Sequence, residues 1–163
     1  MMRSKETYLG VKRAYSVFFS YIISVIENLG SDKALEILNE VVQKRGKEDG
    51  SDLKRRLKIK SDDISDGLAI YSAFIQDSGM TFDIIDNDEN KIVLRIGKCP
   101  VYEASHETIL DCQYFGEKMC RLIYLPLASA VVSVINPNLS VDLVRYRSFH
   151  DGYCIEKMSL KKK

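Results

Sequence analysis

The spacing of apolar residues changes part-way along the chain, and this change restricts the fold more than any other feature. From Ser4 to Gly79, apolar residues recur every three or four positions, which is typical of amphipathic helices. From Phe82 to Ile96, and again near the end of the chain, the spacing becomes two. Short turns join the alternating segments in pairs. The sequence therefore predicts an α+β fold in which an antiparallel sheet of two hairpins packs against several helices.

The first predicted helix runs from Ser4 to Gly30 and carries a broad apolar stripe. The stripe is wider than one core-facing side requires, so this helix is either central to the core or half of a dimer interface. We predict a homodimer formed in part by outward-facing residues of this helix, such as Phe19 and Ile23; a central helix is the alternative.

Glycines and polar runs divide the rest of the helical half, residues 1–79. A second helix begins at Ser31 and is predicted to end at Gly46, because glycine is common just beyond helix ends. The polar run 44–51 is then a loop, and a short basic helix over 53–59 follows it.

Residues 80–160 are predicted to fold as hairpin, long helix, hairpin. Ser105 is the expected cap of the long helix, and Pro126 should kink or restart it because proline has no amide hydrogen to donate. The closing hairpin pairs 141–149 with 153–160 through a tight Asp151-Gly152 turn. That register places Arg147 opposite Glu156 as a cross-strand ion pair.

Length and charge narrow the class of protein. The 163 residues suit a single domain over 1–163, and 24 basic residues nearly balance 23 acidic ones. Such a chain has no overall field that would draw it to nucleic acid or to an anionic membrane. The longest uncharged stretch near the N-terminus, Ala14–Ile26, is shorter than the roughly 20 residues of a membrane span. We expect a cytoplasmic protein with no nucleic-acid or membrane partner.

The cysteines are the strongest candidate for chemistry, since all four lie in the C-terminal half of the chain. They are Cys99, Cys112, Cys120 and Cys154. In a cytoplasmic protein, cysteines at this density are metal ligands, nucleophiles or buried apolar residues. Cys112 and Cys120 are separated by ~80° around one helix, and the other two follow a strand and a turn. The spacing is compatible with one shared zinc site, although no C-x-x-C pair marks it and core packing also explains buried cysteines.

His150 is the histidine closest in sequence to Cys154. With a two-residue Asp151-Gly152 turn, the two side chains point to opposite faces of the hairpin, which weakens them as joint ligands. A bulge would bring them to the same face.

The C-terminal stretch resembles two related families through a small set of residues, namely Cys99-Pro100, Cys112, Asn136-Pro137, Arg147 and Asp151-Gly152-Tyr153-Cys154. One is the 4-vinyl-reductase-type ligand-binding domain, which also serves as the sensor half of aromatic-responsive regulators. The other is the aminothiazoline-carboxylate hydrolase-like family. The resemblance covers roughly residues 80–160 and implies the fold of haem nitric-oxide sensors and small trafficking-complex subunits, with an internal pocket.

The two resemblances imply different cysteine sets. The sensor-type pattern implies zinc bound by Cys120, His150 and Cys154, although this chain has Arg147 where that pattern has an acidic residue. The hydrolase-like pattern matches Cys99, Cys112 and Cys154. Both include Cys154.

Three functions follow as hypotheses. The first is a domain that binds a small apolar or aromatic molecule, with a structural zinc site on Cys99, Cys112, Cys120 and Cys154. The second is a cysteine- or metal-dependent hydrolase of a small cyclic amide-like compound, with His150 as a base. The third is an interaction subunit without a ligand.

Overall fold

A computed structural model describes residues 2–108, 113–147 and 152–161 of the chain. The N-terminal half contains helices α1 (Met2–Leu29), α2 (Ser31–Leu57) and α3 (Ile64–Asp77). The C-terminal half contains, in chain order, β1 (Phe82–Asn87), β2 (Lys91–Ile96), α4 (Pro100–Thr108), α5 (Gln113–Met119), a π-helical turn (Cys120–Tyr124), α6 (Leu125–Ser133), β3 (Leu139–Arg145) and β4 (Cys154–Leu160).

The four strands form one antiparallel sheet in the order β1-β2-β4-β3, so the two hairpins meet along β2 and β4. One face of the sheet is buried, because alternate residues of each inner strand point into the core. On β4 these inward residues are Cys154, Glu156 and Met158. The predicted α+β fold, an antiparallel sheet of two hairpins packed against helices, is confirmed.

Helices cover the buried face of the sheet. Helix α6 lies against β3, α2 packs on α6, and α1 packs mainly on α4. The largest fully buried side chains come from both halves of the chain and include Tyr71, Phe19, Ile70, Ile92 and Leu94.

Helix α2 is continuous, so the predicted end at Gly46, the loop over 44–51 and the separate helix over 53–59 are wrong. Gly46 and Gly50 are buried inside the helix and face α6. A Cβ atom at Gly46 would lie 2.5 Å from the carbonyl oxygen of Leu127. These glycines therefore serve close contact between two helices, and the polar residues between them remain on the solvent side.

The closing hairpin differs from the prediction in register. Strand β3 ends at Arg145 and β4 begins at Cys154. The predicted Asp151-Gly152 turn lies partly outside the described residues, which do not include Asp151. Glu156 lies opposite Leu143, and the predicted Arg147–Glu156 ion pair is wrong. Arg147 lies beyond the end of β3 and is buried.

The expected break near Pro126 takes the form of the π-helical turn. The amide of Leu125 donates to the carbonyl of Cys120, five residues back, immediately before the proline. The wider turn accommodates a residue that has no amide hydrogen.

The helical segment before the π-helical turn starts earlier than predicted, at Pro100. Ser105 is a buried residue inside α4 rather than its cap.

Helix α1 is partly exposed, but its exposed residues differ from those predicted. Phe19 is fully buried and is not available to a dimer contact, and Ile23 is half-buried, whereas Val17 and Tyr21 are exposed. The homodimer itself stays a prediction. Among the described residues, one helical segment, Lys5–Leu29, has the length and apolar composition needed to cross a membrane. Core helices of soluble proteins also pass this test.

Candidate functional site: a cysteine cavity beside an open cleft

Three of the four predicted cysteines meet at one internal cavity, which we call the cysteine cavity. Cys99 comes from the link between β2 and α4, Cys120 from the π-helical turn, and Cys154 from the first residue of β4. All three are buried and reduced. Cys112 and His150 lie outside the described residues. The complete lining is Ile96, Cys99, Val101, Tyr102, Gly116, Cys120, Tyr124, Tyr146, Cys154 and Glu156.

The cysteine cavity is small in this conformation. The centre of a water molecule has about 10 Å³ available to it, which is the space of roughly one water. A larger guest therefore enters only if part of the wall moves.

The thiols of Cys99 and Cys120 are held in their neutral form by their surroundings. Burial raises the pKa of Cys99 to about 12, against smaller opposing effects of the Tyr102 amide and the charge of Arg147. Burial also raises the pKa of Cys120 well above its ordinary value, and the nearby Glu156 carboxylate adds to the effect. At neutral pH these two sulfurs are apolar lining rather than nucleophiles.

Glu156 is the buried acid of the site and sequence reasoning missed its role. Its side chain is 2% exposed, and it accepts a hydrogen bond from the hydroxyl of Tyr71. Tyr71 in turn shares a 2.8 Å hydrogen bond with Tyr124. Burial raises the pKa of Glu156 to about 7, and the bonds from Tyr71 and the charge of Arg147 reduce that shift. Glu156 can therefore gain or lose a proton near neutral pH.

Arg147 forms part of the wall of the site. Its guanidinium donates from Nε to Cys154 Sγ at 3.3 Å and from Nη2 to the carbonyl oxygen of Ile96 at 2.8 Å. It also lies 4.6 Å from the centroid of the Tyr102 ring, in a cation–π contact. Among the described residues, Nη1 has no hydrogen-bond partner.

An open cleft of about 630 Å³ lies beside Arg147 and Tyr102, and we call it the outer cleft. Its lining is Gly97, Lys98, Tyr102, Glu103, Glu107, Arg147 and Gly152. Tyr102 also lines the cysteine cavity, and Arg147 lines the outer cleft while bonding Cys154 of the cavity, so this pair lies between the two spaces.

The charge in the outer cleft favours an anion. Lys12 from α1 lies 2.6 Å from Glu107 and 3.7 Å from Glu103, so the two carboxylates share one cation. With Lys98 and Arg147 also lining the cleft, the cations exceed the acids by one charge.

The described residues are not arranged as a zinc site. No three histidine, cysteine, aspartate or glutamate residues among them form a group that could hold a metal ion. The hydrogen bond from Arg147 also directs a positive charge at Cys154 Sγ, which a zinc ion would need as a ligand. Since Cys112 and His150 are not described, the four-cysteine zinc site stays a prediction.

Elemental analysis of the untagged protein checks that prediction. If Cys154 is a ligand, the wild type should carry about one zinc, and a chelator should lower its melting temperature more than that of Cys154→Ser. An equal change in melting temperature on adding chelator to the two proteins, or wild type that contains no zinc, would contradict the zinc site.

The sequence and the fold are similar to those of known proteins. The sequence fits the family model described as L-2-amino-thiazoline-4-carboxylic acid hydrolase over residues 11–154. The chain belongs to this hydrolase family. The match spans most of the chain and ends at Cys154, whereas the 4-vinyl-reductase resemblance stays a prediction. No curated protein matches the sequence at a significant level.

Two solved structures show the same fold at low sequence identity. The phenol-responsive sensory domain of the transcription activator PoxR, solved with phenol, has a TM-score of 0.63 and 9% identity, covering 90% of this chain and 74% of that one. Subunit 3 of a trafficking protein particle complex from Naegleria fowleri, covalently bound to palmitic acid, has a TM-score of 0.58 and 12% identity, covering 94% and 96%.

Proposed function

We propose that this protein binds a small molecule with an apolar body and a carboxylate at the wall between the outer cleft and the cysteine cavity. The observation that carries the proposal is the placement of Arg147, a buried residue that lines the outer cleft and whose Nη1 has no hydrogen-bond partner among the described residues. Arginine N–H groups make strong, charge-assisted hydrogen bonds to a carboxylate. The compound in the family description also carries a carboxylate on a small ring.

The two spaces suit the two parts of such a molecule. The outer cleft has room for a small ligand, and its cations exceed its acids by one charge. The cysteine cavity offers mostly apolar lining and a few polar groups, which is the usual composition of a ligand pocket. Movement of Tyr102 and Arg147 would join the two spaces. The PoxR sensory domain, which has the same fold, was solved with a small aromatic compound.

Arg147→Lys tests the proposal. Lysine keeps the charge but loses the planar pair of donors, so we expect affinity for L-2-amino-thiazoline-4-carboxylic acid to fall about 10-fold or more in isothermal titration calorimetry. Arg145→Lys is the matched control, because Arg145 stacks on Tyr153 outside the site at 4.4 Å. Equal affinity in wild type and Arg147→Lys, or no binding by the wild type, would contradict the proposal.

Hydrolysis of the bound molecule is the second candidate function, favoured by the family and by the Arg147–Cys154 contact. A thiol sulfur that accepts a hydrogen bond from a cation is suited to nucleophilic attack. Cys154 Sγ would add to the electrophilic ring carbon as its thiol proton passes to the Glu156 carboxylate. A ring bond to that carbon would then break, and its heteroatom would take this proton from Glu156. Water would displace the sulfur, leaving its oxygen on the carbon and returning one proton to Sγ, so that the net reaction adds one water.

Measuring both binding and product formation with the same compound separates the two functions. Product formed from L-2-amino-thiazoline-4-carboxylic acid by the wild type, but not by Cys154→Ser that still binds the compound, would select the hydrolase. Binding without turnover in both proteins would select the binding function alone.

A further inference from the structure

The hydroxyl of Tyr146 is a buried polar group that the structure leaves unsatisfied. Among the described residues, this oxygen has no hydrogen-bond partner. Buried hydroxyls without a partner are rare in native proteins, because water has been removed and nothing replaces it. Such a group therefore calls for an explanation beyond packing.

The local structure holds this hydroxyl in place at the cysteine cavity. Tyr146 lines the cavity together with Cys154, and its ring packs against the Tyr102 ring with centroids 5.8 Å apart. Gly116 leaves the space that the hydroxyl occupies, since a Cβ atom at Gly116 would collide with the Tyr146 oxygen and lie 2.8 Å from Ser105 Oγ.

The neighbouring serine does not satisfy the group. The Ser105 hydroxyl donates to the carbonyl of Tyr102 at 2.8 Å, and no hydrogen bond of normal geometry joins it to Tyr146. Burial raises the pKa of Tyr146 above its ordinary value, although the Ser105 hydroxyl, which lies close to Tyr146 without the geometry of a normal hydrogen bond, opposes the shift. At neutral pH the group therefore keeps its proton and can act as a donor.

We propose that the Tyr146 hydroxyl is the hydrogen-bond donor for the part of the ligand that enters the cysteine cavity. The proposal rests on the small-molecule function above and deepens it: the entering part must carry an acceptor, such as a ring C=N nitrogen or a carbonyl oxygen. A purely hydrocarbon guest would leave the hydroxyl unsatisfied. Arg147 then recognises the carboxylate and Tyr146 recognises the ring.

Tyr146→Phe separates a ligand-binding role from a structural one. Because the free protein loses no hydrogen bond, we expect its melting temperature to stay the same or rise. The affinity for L-2-amino-thiazoline-4-carboxylic acid should fall about 3- to 10-fold in calorimetry, the effect of one neutral hydrogen bond. Cyclopentanecarboxylic acid, a ring of similar size without a ring acceptor, should bind wild type and variant equally.

Tyr124→Phe is the matched control in the same cavity. The Tyr124 hydroxyl is bonded to Tyr71 at 2.8 Å, so its removal should lower the melting temperature, in contrast to Tyr146→Phe. A Tyr146→Phe protein that is destabilised or unfolded, or that binds the thiazoline as tightly as wild type does, would overturn the inference. If wild type binds neither compound, the small-molecule function itself fails.

Discussion

Replacing Gly46 with valine should lower the free energy of unfolding by about 3 kcal/mol, although the residue lies in a helix made mainly of charged surface residues. A Cβ atom at Gly46 would lie 2.5 Å from the Leu127 carbonyl oxygen and 2.6 Å from the Ala130 Cβ atom. Neither atom belongs to the flexible end of a side chain, so α2 and α6 must separate. Because α6 also packs on β3, the separation would disturb the wall of the core next to the site.

Urea unfolding followed by circular dichroism measures this effect, with Gly10→Ala as control. Gly10 also lies inside a long helix, but no atom lies within 4 Å of the position of its Cβ. Alanine there should stabilise the protein by about 0.5–1 kcal/mol, since it favours the helix over glycine. Equal effects of the two substitutions would show that the close contact between α2 and α6 is wrong.

Glu156→Gln should remove a pH dependence that the wild type shows near neutrality. The folded pKa of Glu156 is about 7, against an ordinary value of 4.5, because burial between apolar neighbours disfavours the carboxylate. Between these two values the folded state holds the proton more tightly than the unfolded state. The contribution of the Glu156 proton to the free energy of unfolding is therefore complete below pH ~4.5 and is lost as the pH rises through about 7.

The expected loss is on the order of 3 kcal/mol between pH 5 and pH 8, from the linkage of pKa to stability. Glutamine cannot ionise, yet it still accepts a hydrogen bond from Tyr71, so the variant should lack this part of the slope. The comparison uses urea unfolding at a series of pH values, where all other titrating groups contribute to both proteins. The same slope in wild type and Glu156→Gln would mean that Glu156 is ionised and solvated in the folded protein.

The sequence predicts much of this fold because hydrophobic periodicity records which side of each element is buried. Inward residues of α3 such as Tyr71, and the alternating residues of β2, follow from that spacing. It does not record whether a glycine ends a helix or admits a neighbouring one. Gly46 does the second, and only the contact with α6 distinguishes the two.

The meeting of Cys99, Cys120 and Cys154 was also predictable, since the two hairpins and the helix between them have few ways to pack. The polar partners were not. The predicted hairpin register placed Arg147 opposite Glu156, whereas Leu143 lies there. The inward alternation of Cys154, Glu156 and Met158 is the signal that could have placed Glu156 in the core. Its bond to Tyr71 joins elements distant in sequence and leaves no local pattern.

The most direct test of the small-molecule site is an NMR titration of the ¹⁵N-labelled protein with L-2-amino-thiazoline-4-carboxylic acid. We predict that the largest shifts occur at amides around the outer cleft, namely Lys98, Tyr102 and Gly152. The alternative binding site for the compound is the apolar groove between α1 and α2, which includes Ala14, Phe18 and Val41. Shifts concentrated in that groove, or no shifts at saturating compound, would contradict the assignment of the site to the wall formed by Arg147 and Tyr102.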